Sequence, residues 1–170
     1  MKKLTAWILI LMLMATFCAC NSKDEIPPLV FHYPWANLEE AMRQDPTCTA
    51  IGSEERDISG NRDSLRYVLT LYFRGPLDPN LVSPFPIGTT VVSTQKEEGR
   101  IIVTLSNSFS HLKDMDQTVA CICLAKTCFG LSDAEIVIIQ TDDPNSDISI
   151  TITRDNYLLE DSGTEATSGE

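Results

Sequence analysis

Between Thr118 and Leu131 the chain reads TVACICLAKTCFGL, and this stretch restricts the fold more than any other. Apart from Lys126 and the flanking threonines it is apolar nearly all round, so a helix made from it must be deeply packed. Asp114 and Gln117, three residues apart just ahead of the run, form a capping-box pattern and predict where the helix opens; Gly130 marks its end. The residues beyond Gly130 read as sheet. Glu135 to Thr141 (EIVIIQT) is a buried strand, ISITIT (residues 148–153) alternates like a half-exposed one, and DDPNSD turns between them.

The sequence before the apolar helix completes the pattern. TTVVSTQKEEGRIIVTL (residues 89–105) reads as a hairpin, two β-branched runs joined by Lys96-Glu97-Glu98-Gly99. In NRDSLRYVLTLYFRGP (residues 61–76), Leu65, Val68, Leu69, Tyr72 and Phe73 fall on one face of a helix. Val, Tyr and Phe favour strands locally, but Asn61 is placed to cap a helix and Gly75-Pro76 to stop it. Between this helix and the hairpin, LDPNLVSPFPI (residues 77–87) carries three prolines and reads as a surface loop. Nearer the N-terminus, LVFHYPW (residues 29–35) suits a strand at a sheet edge because of Pro34. A short helical turn is expected within residues 36–45 and an extended stretch at residues 47–51. Glu54-Glu55-Arg56-Asp57 is read as a solvated surface.

The first residues have a different character. Met1-Lys2-Lys3 is a basic start to the apolar run LTAWILILMLMATFCA (residues 4–19), the layout of a secretory signal. The run is shorter than the roughly 20 apolar residues a membrane span needs, so an uncleaved anchor is the alternative reading. Phe17-Cys18-Ala19-Cys20 resembles the lipobox of bacterial lipoproteins, with Phe17 where leucine is usual. The resemblance makes Cys20 the lipid acceptor and residue 20 the new N-terminus. A sulfur-linked diacyl group buries two chains, enough for stable anchoring. Residues 20–28 then serve as a tether, residues 29–159 as one domain, and residues 160–170 as a disordered acidic tail.

Charge limits the partners. The chain has 13 Lys plus Arg against 24 Asp plus Glu, net −11; loss of residues 1–19 removes Lys2 and Lys3 and leaves 11 against 24, net −13. Nucleic acid is excluded as a partner, because phosphate contacts need clustered cations. Attachment to a bilayer must come through the Cys20 anchor rather than through bulk charge.

Candidate chemistry is sparse. Cys48, Cys121, Cys123 and Cys128 remain after export, and three of them crowd one helix, so buried free thiols are expected. Ser110 and Lys113 match S-x-x-K, but the later elements of a penicillin-binding site are missing. Asp143, Asn145 and Asp147 resemble the start of a calcium loop. Ile148 stands where glycine belongs and Arg154 where the bidentate glutamate belongs, so a hairpin turn is the better reading. His32 and His111 are too few for a zinc site. No catalytic, metal or cofactor residues are assigned. His32, Tyr33 and Trp35 form the single cluster suited to a ligand or partner contact.

Four motifs then occur in order: Gly75-Pro76 ending the first helix, Pro86-Ile87-Gly88-Thr89 leading into a strand, Leu105-Ser106-Asn107-Ser108-Phe109 after the hairpin, and Thr127-Cys128 closing the second helix. Together, over about residues 29–153, they resemble the GerMN domain of sporulation and germination lipoproteins. Departures are Cys128 for a leucine, Ser108 for a frequent acidic residue and Thr104 for a usual Asp. The resemblance implies a single compact α+β domain of β-α-β-β-α-β type, like ring-building motifs, with a mixed or antiparallel sheet and two helices on one face. It also implies a non-catalytic structural role with envelope or sporulation membrane-complex proteins, as a ring or other homo-oligomer. Two functions stand side by side: a membrane-anchored docking module, and an extracytoplasmic binder of peptidoglycan fragments or another wall ligand.

Overall fold

The computed structural model describes residues 27–58, 61–146, 148–155 and 160–161. The signal segment, Cys20 and most of the tether lie outside these residues. Strand β1 is Leu29–Pro34, helix α1 Leu38–Gln44, β2 Ile51–Arg56, α2 Leu65–Tyr72, β3 Val91–Glu97 and β4 Arg100–Leu105. A 3₁₀ turn at Asn107–His111 leads to α3, Asp114–Gly130, then β5 Ile136–Thr141, β6 Ser149–Thr153 and β7 Glu160–Asp161. The fold is α+β, with β1 and β2 as an antiparallel pair and β3-β4-β5-β6-β7 as a second sheet. Strands β4 and β5 are parallel, joined by the crossover through α3; the other neighbours are antiparallel.

Alternation builds the core. Ile101, Val137 and Ile152 lie side by side across β4, β5 and β6, and Val103, Ile139 and Ile150 form the next row. All six are at least nine-tenths buried, because period-2 side chains on one face turn together toward the helices. The apolar girth of α3 is explained by its surroundings: it touches β5 and β6 of the large sheet and, more extensively, β1 of the small one. Strand β1 is not part of the large sheet. Its free edge is covered by α3, where the His32 N–H donates to the Thr127 hydroxyl at 3.0 Å. Thr127 in turn donates to the Cys123 carbonyl at 3.0 Å, so a fully buried hydroxyl is satisfied within the core.

Helix ends depart from expectation. Periodicity prevails over propensity at α2, which buries Val68, Leu69 and Tyr72. Its cap, however, is Ser64, whose side chain accepts from the Tyr67 N–H; Asn61 sits in a preceding turn with φ of 45°. Helix α3 opens at Asp114 as expected, but without the capping box: Lys113 occupies the cap position and makes no side-chain bond. At its far end Arg154 donates to the carbonyls of Phe129, Ser132 and Ala134, placing a cation where the helix dipole favours one. The tail expected to start at residue 160 instead begins with a strand, Glu160 and Asp161 pairing with Thr151 and Ile150. An edge strand lends free backbone groups to any segment that passes, whatever its side chains.

Candidate functional site

The best-defined surface feature is the proline-rich loop between α2 and β3. Glu54 and Arg56, two residues apart on β2, share a face of the strand. Their side chains form an ion pair and are each only 9% exposed. Glu54 Oε2 accepts from the Leu77 and Asp78 N–H groups, both at 2.9 Å. Arg56 donates to the Leu71 carbonyl at 3.2 Å and the Gly75 carbonyl at 2.6 Å, and its guanidinium lies 4.7 Å above the Phe31 ring. The pair therefore clamps the end of α2 and the start of the loop. Residues 54 and 56, read from sequence as solvated surface, are instead enclosed in this clamp. The signal was strand alternation: with the strand placed at residues 51–56 rather than ending at 51, both residues fall on the same face.

Further along, the Ala36 N–H donates to the Asn80 carbonyl and the Val82 N–H to the Pro34 carbonyl, bridging the loop to the end of β1. Leu81 and Phe85 are buried as pegs. Between these fixings the loop holds three large apolar side chains out to solvent: Leu77 is 78% exposed, Val82 46% and Ile87 fully exposed. Such side chains, on a backbone held this firmly, cost little further order on contacting a partner.

The expected cluster of His32, Tyr33 and Trp35 does not converge. Tyr33 is fully buried, stacked on Tyr72 at 4.7 Å, and the two exchange hydrogen bonds with each other's strand and helix: Tyr33 donates to the Tyr72 carbonyl, Tyr72 to the His32 carbonyl. His32 is half-buried, its Nδ1 enclosed without a partner, and burial followed by the Lys126 charge lowers its pKa to about 4. Trp35 alone reaches a cleft, of about 210 Å³, lined also by Asn37, Glu40, Gln44 and Asn80. Its indole N–H donates to the Thr49 carbonyl at 2.9 Å, and Gly52 leaves room for the ring.

The other sequence candidates resolve locally. Ser110 donates to the Asn107 carbonyl and side chain within its 3₁₀ turn. Asp143 accepts from the Asn145 N–H as a turn residue; position 147 lies outside the described residues. Among the described residues no three His, Cys, Asp or Glu side chains gather as a metal site would require. Cys48, Cys121, Cys123 and Cys128 are free thiols, and burial pushes the last three up to about 12, which keeps them protonated and unreactive. No helix of the described residues is long and apolar enough to cross a membrane.

The molecule is thus a single α+β domain with a clamped apolar loop on its surface. No family model and no curated protein matches the chain. Solved structures that resemble it include the following two. One is the tandem GerMN domains of the sporulation protein GerM from Bacillus subtilis, 16% identical, matched over 75% of this chain and 43% of that one with a TM-score of 0.47. This chain thus spans less than half the length of that tandem protein. The other is a candidate lipoprotein from Clostridium perfringens, 16% identical over 80% of this chain and 94% of that one, TM-score 0.46.

Proposed function

We propose that this chain is a non-catalytic docking module of the bacterial envelope, tethered through lipid on Cys20 and bearing a GerMN-like domain that contacts other membrane-complex proteins in sporulation or germination. The observation that carries the reading is the clamped loop, which holds Leu77, Val82 and Ile87 in solvent on a fixed backbone. Exposed aliphatic side chains on an ordered loop gain free energy only when another surface covers them. Crosslinking from sporulating and vegetative cells is the test. Leu77→Asp with Ile87→Asp should abolish capture of the membrane-complex partner while leaving the thermal midpoint in place. Recovery of no partner from either cell state counts against the reading. Labelling with a fatty-acid analogue checks the tether separately, and a Cys20→Ala chain that still labels would move the acceptor elsewhere.

The Trp35 cleft supports a second reading, a wall-fragment site in which the indole stacks on a sugar and the Asn37, Gln44 and Asn80 amides bond its hydroxyls. Trp35→Ala should then lose binding to soluble wall fragments, and unchanged binding removes this reading.

A further inference from the structure

Strands β4 and β5 are apolar at successive positions, Ile101-Ile102-Val103 and Ile136-Val137-Ile138-Ile139, rather than at alternate ones. Successive strand residues point to opposite faces, so both faces of these two strands are apolar. Continuous runs of this kind belong to strands covered on both sides. The structure covers one side only. Ile101, Val103, Val137 and Ile139 lie in the core, whereas Ile102, Ile136 and Ile138 are half-exposed and stand outside the core cluster.

The register gathers these isoleucines into one patch. Gln95, Ile102, Ile138 and Thr151 stand side by side across β3, β4, β5 and β6, with Ile136 two positions along β5 on the same face. In the neighbouring row the Gln140 amide donates to the Thr104 hydroxyl at 3.0 Å. Within β3 to β6 the charged residues of this face are Glu97 and Arg100, paired with each other at 3.1 Å. Glu160 of β7 stands at one edge, beyond Thr151. The face is thus close to neutral on a chain whose net charge is −11.

We propose that this face packs on the same face of a second copy of the chain, across a two-fold axis near Ile102 and Ile138. Charge selects the occupant. Two copies of so acidic a chain repel wherever their carboxylates meet. Stacked sheets lie about 10 Å apart, and charges separated by more than about 8 Å are largely screened at physiological salt. Face-to-face pairing therefore brings the neutral rows together and keeps the acidic surfaces apart. A strongly basic partner would find only Glu97, already paired, in these rows. Area sets the strength. Four strands about 4.8 Å apart and five residues of about 3.3 Å each give a footprint of about 300 Å², below the roughly 800 Å² per partner of a stable interface. The pair is therefore weak between free copies and gains where a tether confines them to one surface. That gain rests on the proposed Cys20 anchor; the face itself does not.

Sedimentation equilibrium of the full chain in density-matched neutral detergent is the test. A monomer–dimer equilibrium is expected, half-associated at about 0.1–1 mM. Ile138→Lys and Ile138→Glu should each weaken association about tenfold or more while keeping the thermal midpoint. An equimolar mixture of the two should restore it, because a two-fold pair sets position 138 of each copy against the same patch of the other. Thr151→Lys and Thr151→Glu, at a polar position of the same row, repeat the comparison if charge at Ile138 prevents folding. A chain that stays monomeric throughout, association retained in both single variants, or a mixture no stronger than its components overturns the pairing. Lowered midpoints with unchanged association would mean that another part of the same chain covers the face, which overturns it as well. On phosphatidylcholine vesicles the lipidated chain should crosslink as a dimer at a bulk concentration about tenfold lower or less. A Cys20→Ala chain should lose that gain and keep the detergent result, so failure of the tether removes the gain alone and failure of the face removes both.

Discussion

Replacing Arg56 with methionine tests whether the loop is clamped as the structure indicates. Methionine keeps much of the side chain's aliphatic length but supplies no donor and no cation over the Phe31 ring. The Leu71 carbonyl keeps the Arg74 N–H but loses the guanidinium, the Gly75 carbonyl loses the Arg56 donor, and the Glu54 carboxylate, 9% exposed, keeps the Leu77 and Asp78 N–H groups but loses its counter-charge. Breaking a buried pair from one side costs about 3–5 kcal/mol, and the two surviving N–H bonds place this case near the lower end, about 3 kcal/mol. For a folded body of this size roughly 1 kcal/mol moves the thermal midpoint by about 4 °C, so a drop of about 12 °C is expected. Urea unfolding gives the free energy, and hydrogen exchange at Leu77 and Asp78 shows whether the loop start is released. The double variant Glu54→Gln, Arg56→Met should recover part of the loss, since no unpaired charge is then left inside. A single-variant cost below about 1 kcal/mol would put the pair in the class of exposed ion pairs and refute the clamp.

Other consequences are measurable in the same way. His32 has a folded pKa of about 4 against 6.5 for the free side chain, so the unfolded chain takes up the proton first; stability present above pH 6.5 should decline as pH falls toward 4. Subtracting the pH profile of His32→Gln isolates that decline from the carboxylates, and parallel profiles would contradict it. Thiol labelling and subsequent peptide mapping should show Cys48 modified in the native domain, with Cys121, Cys123 and Cys128 reacting only in urea. A β-carbon on Gly52 would stand 2.7 Å from Leu81 and 2.9 Å from the Trp35 ring. Gly52→Ala should therefore cost about 1–3 kcal/mol and shift Trp35 fluorescence, whereas a neutral result would mean that the loop yields easily there.

Elements with a strong period were legible from the residues. The hairpin of β3 and β4, the extent of α3 and the positions of β5 and β6 come from alternation, β-branching and one long apolar run, all local properties. Helix caps were not. Asn61 and Ser64 are both good capping residues, and the point where the chain turns before α2 separates them. The candidate site was legible as a loop but not as a clamp, because charged residues in a short run look solvated until the strand containing them is placed. Likewise, His32, Tyr33 and Trp35 are close in sequence but are divided: alternation turns Tyr33 into the core and His32 to the other face, and Trp35 lies past the end of β1 at a cleft.

The sequence by itself determined most of the helices and strands, β2 and β7 excepted, that α3 had to be enclosed, and that the body is acidic behind a lipoprotein-like start. Only the tertiary structure decided that β1 leaves the large sheet to pair with β2, that α3 covers its free edge, and that Glu54 and Arg56 turn inward to hold the loop. The physical reason is range. Periodicity and propensity act over a few neighbouring residues, whereas strand partners, buried ion pairs and clefts join positions far apart in the chain, such as His32 and Thr127 or Glu54 and Asp78, whose proximity depends on how the whole core closes.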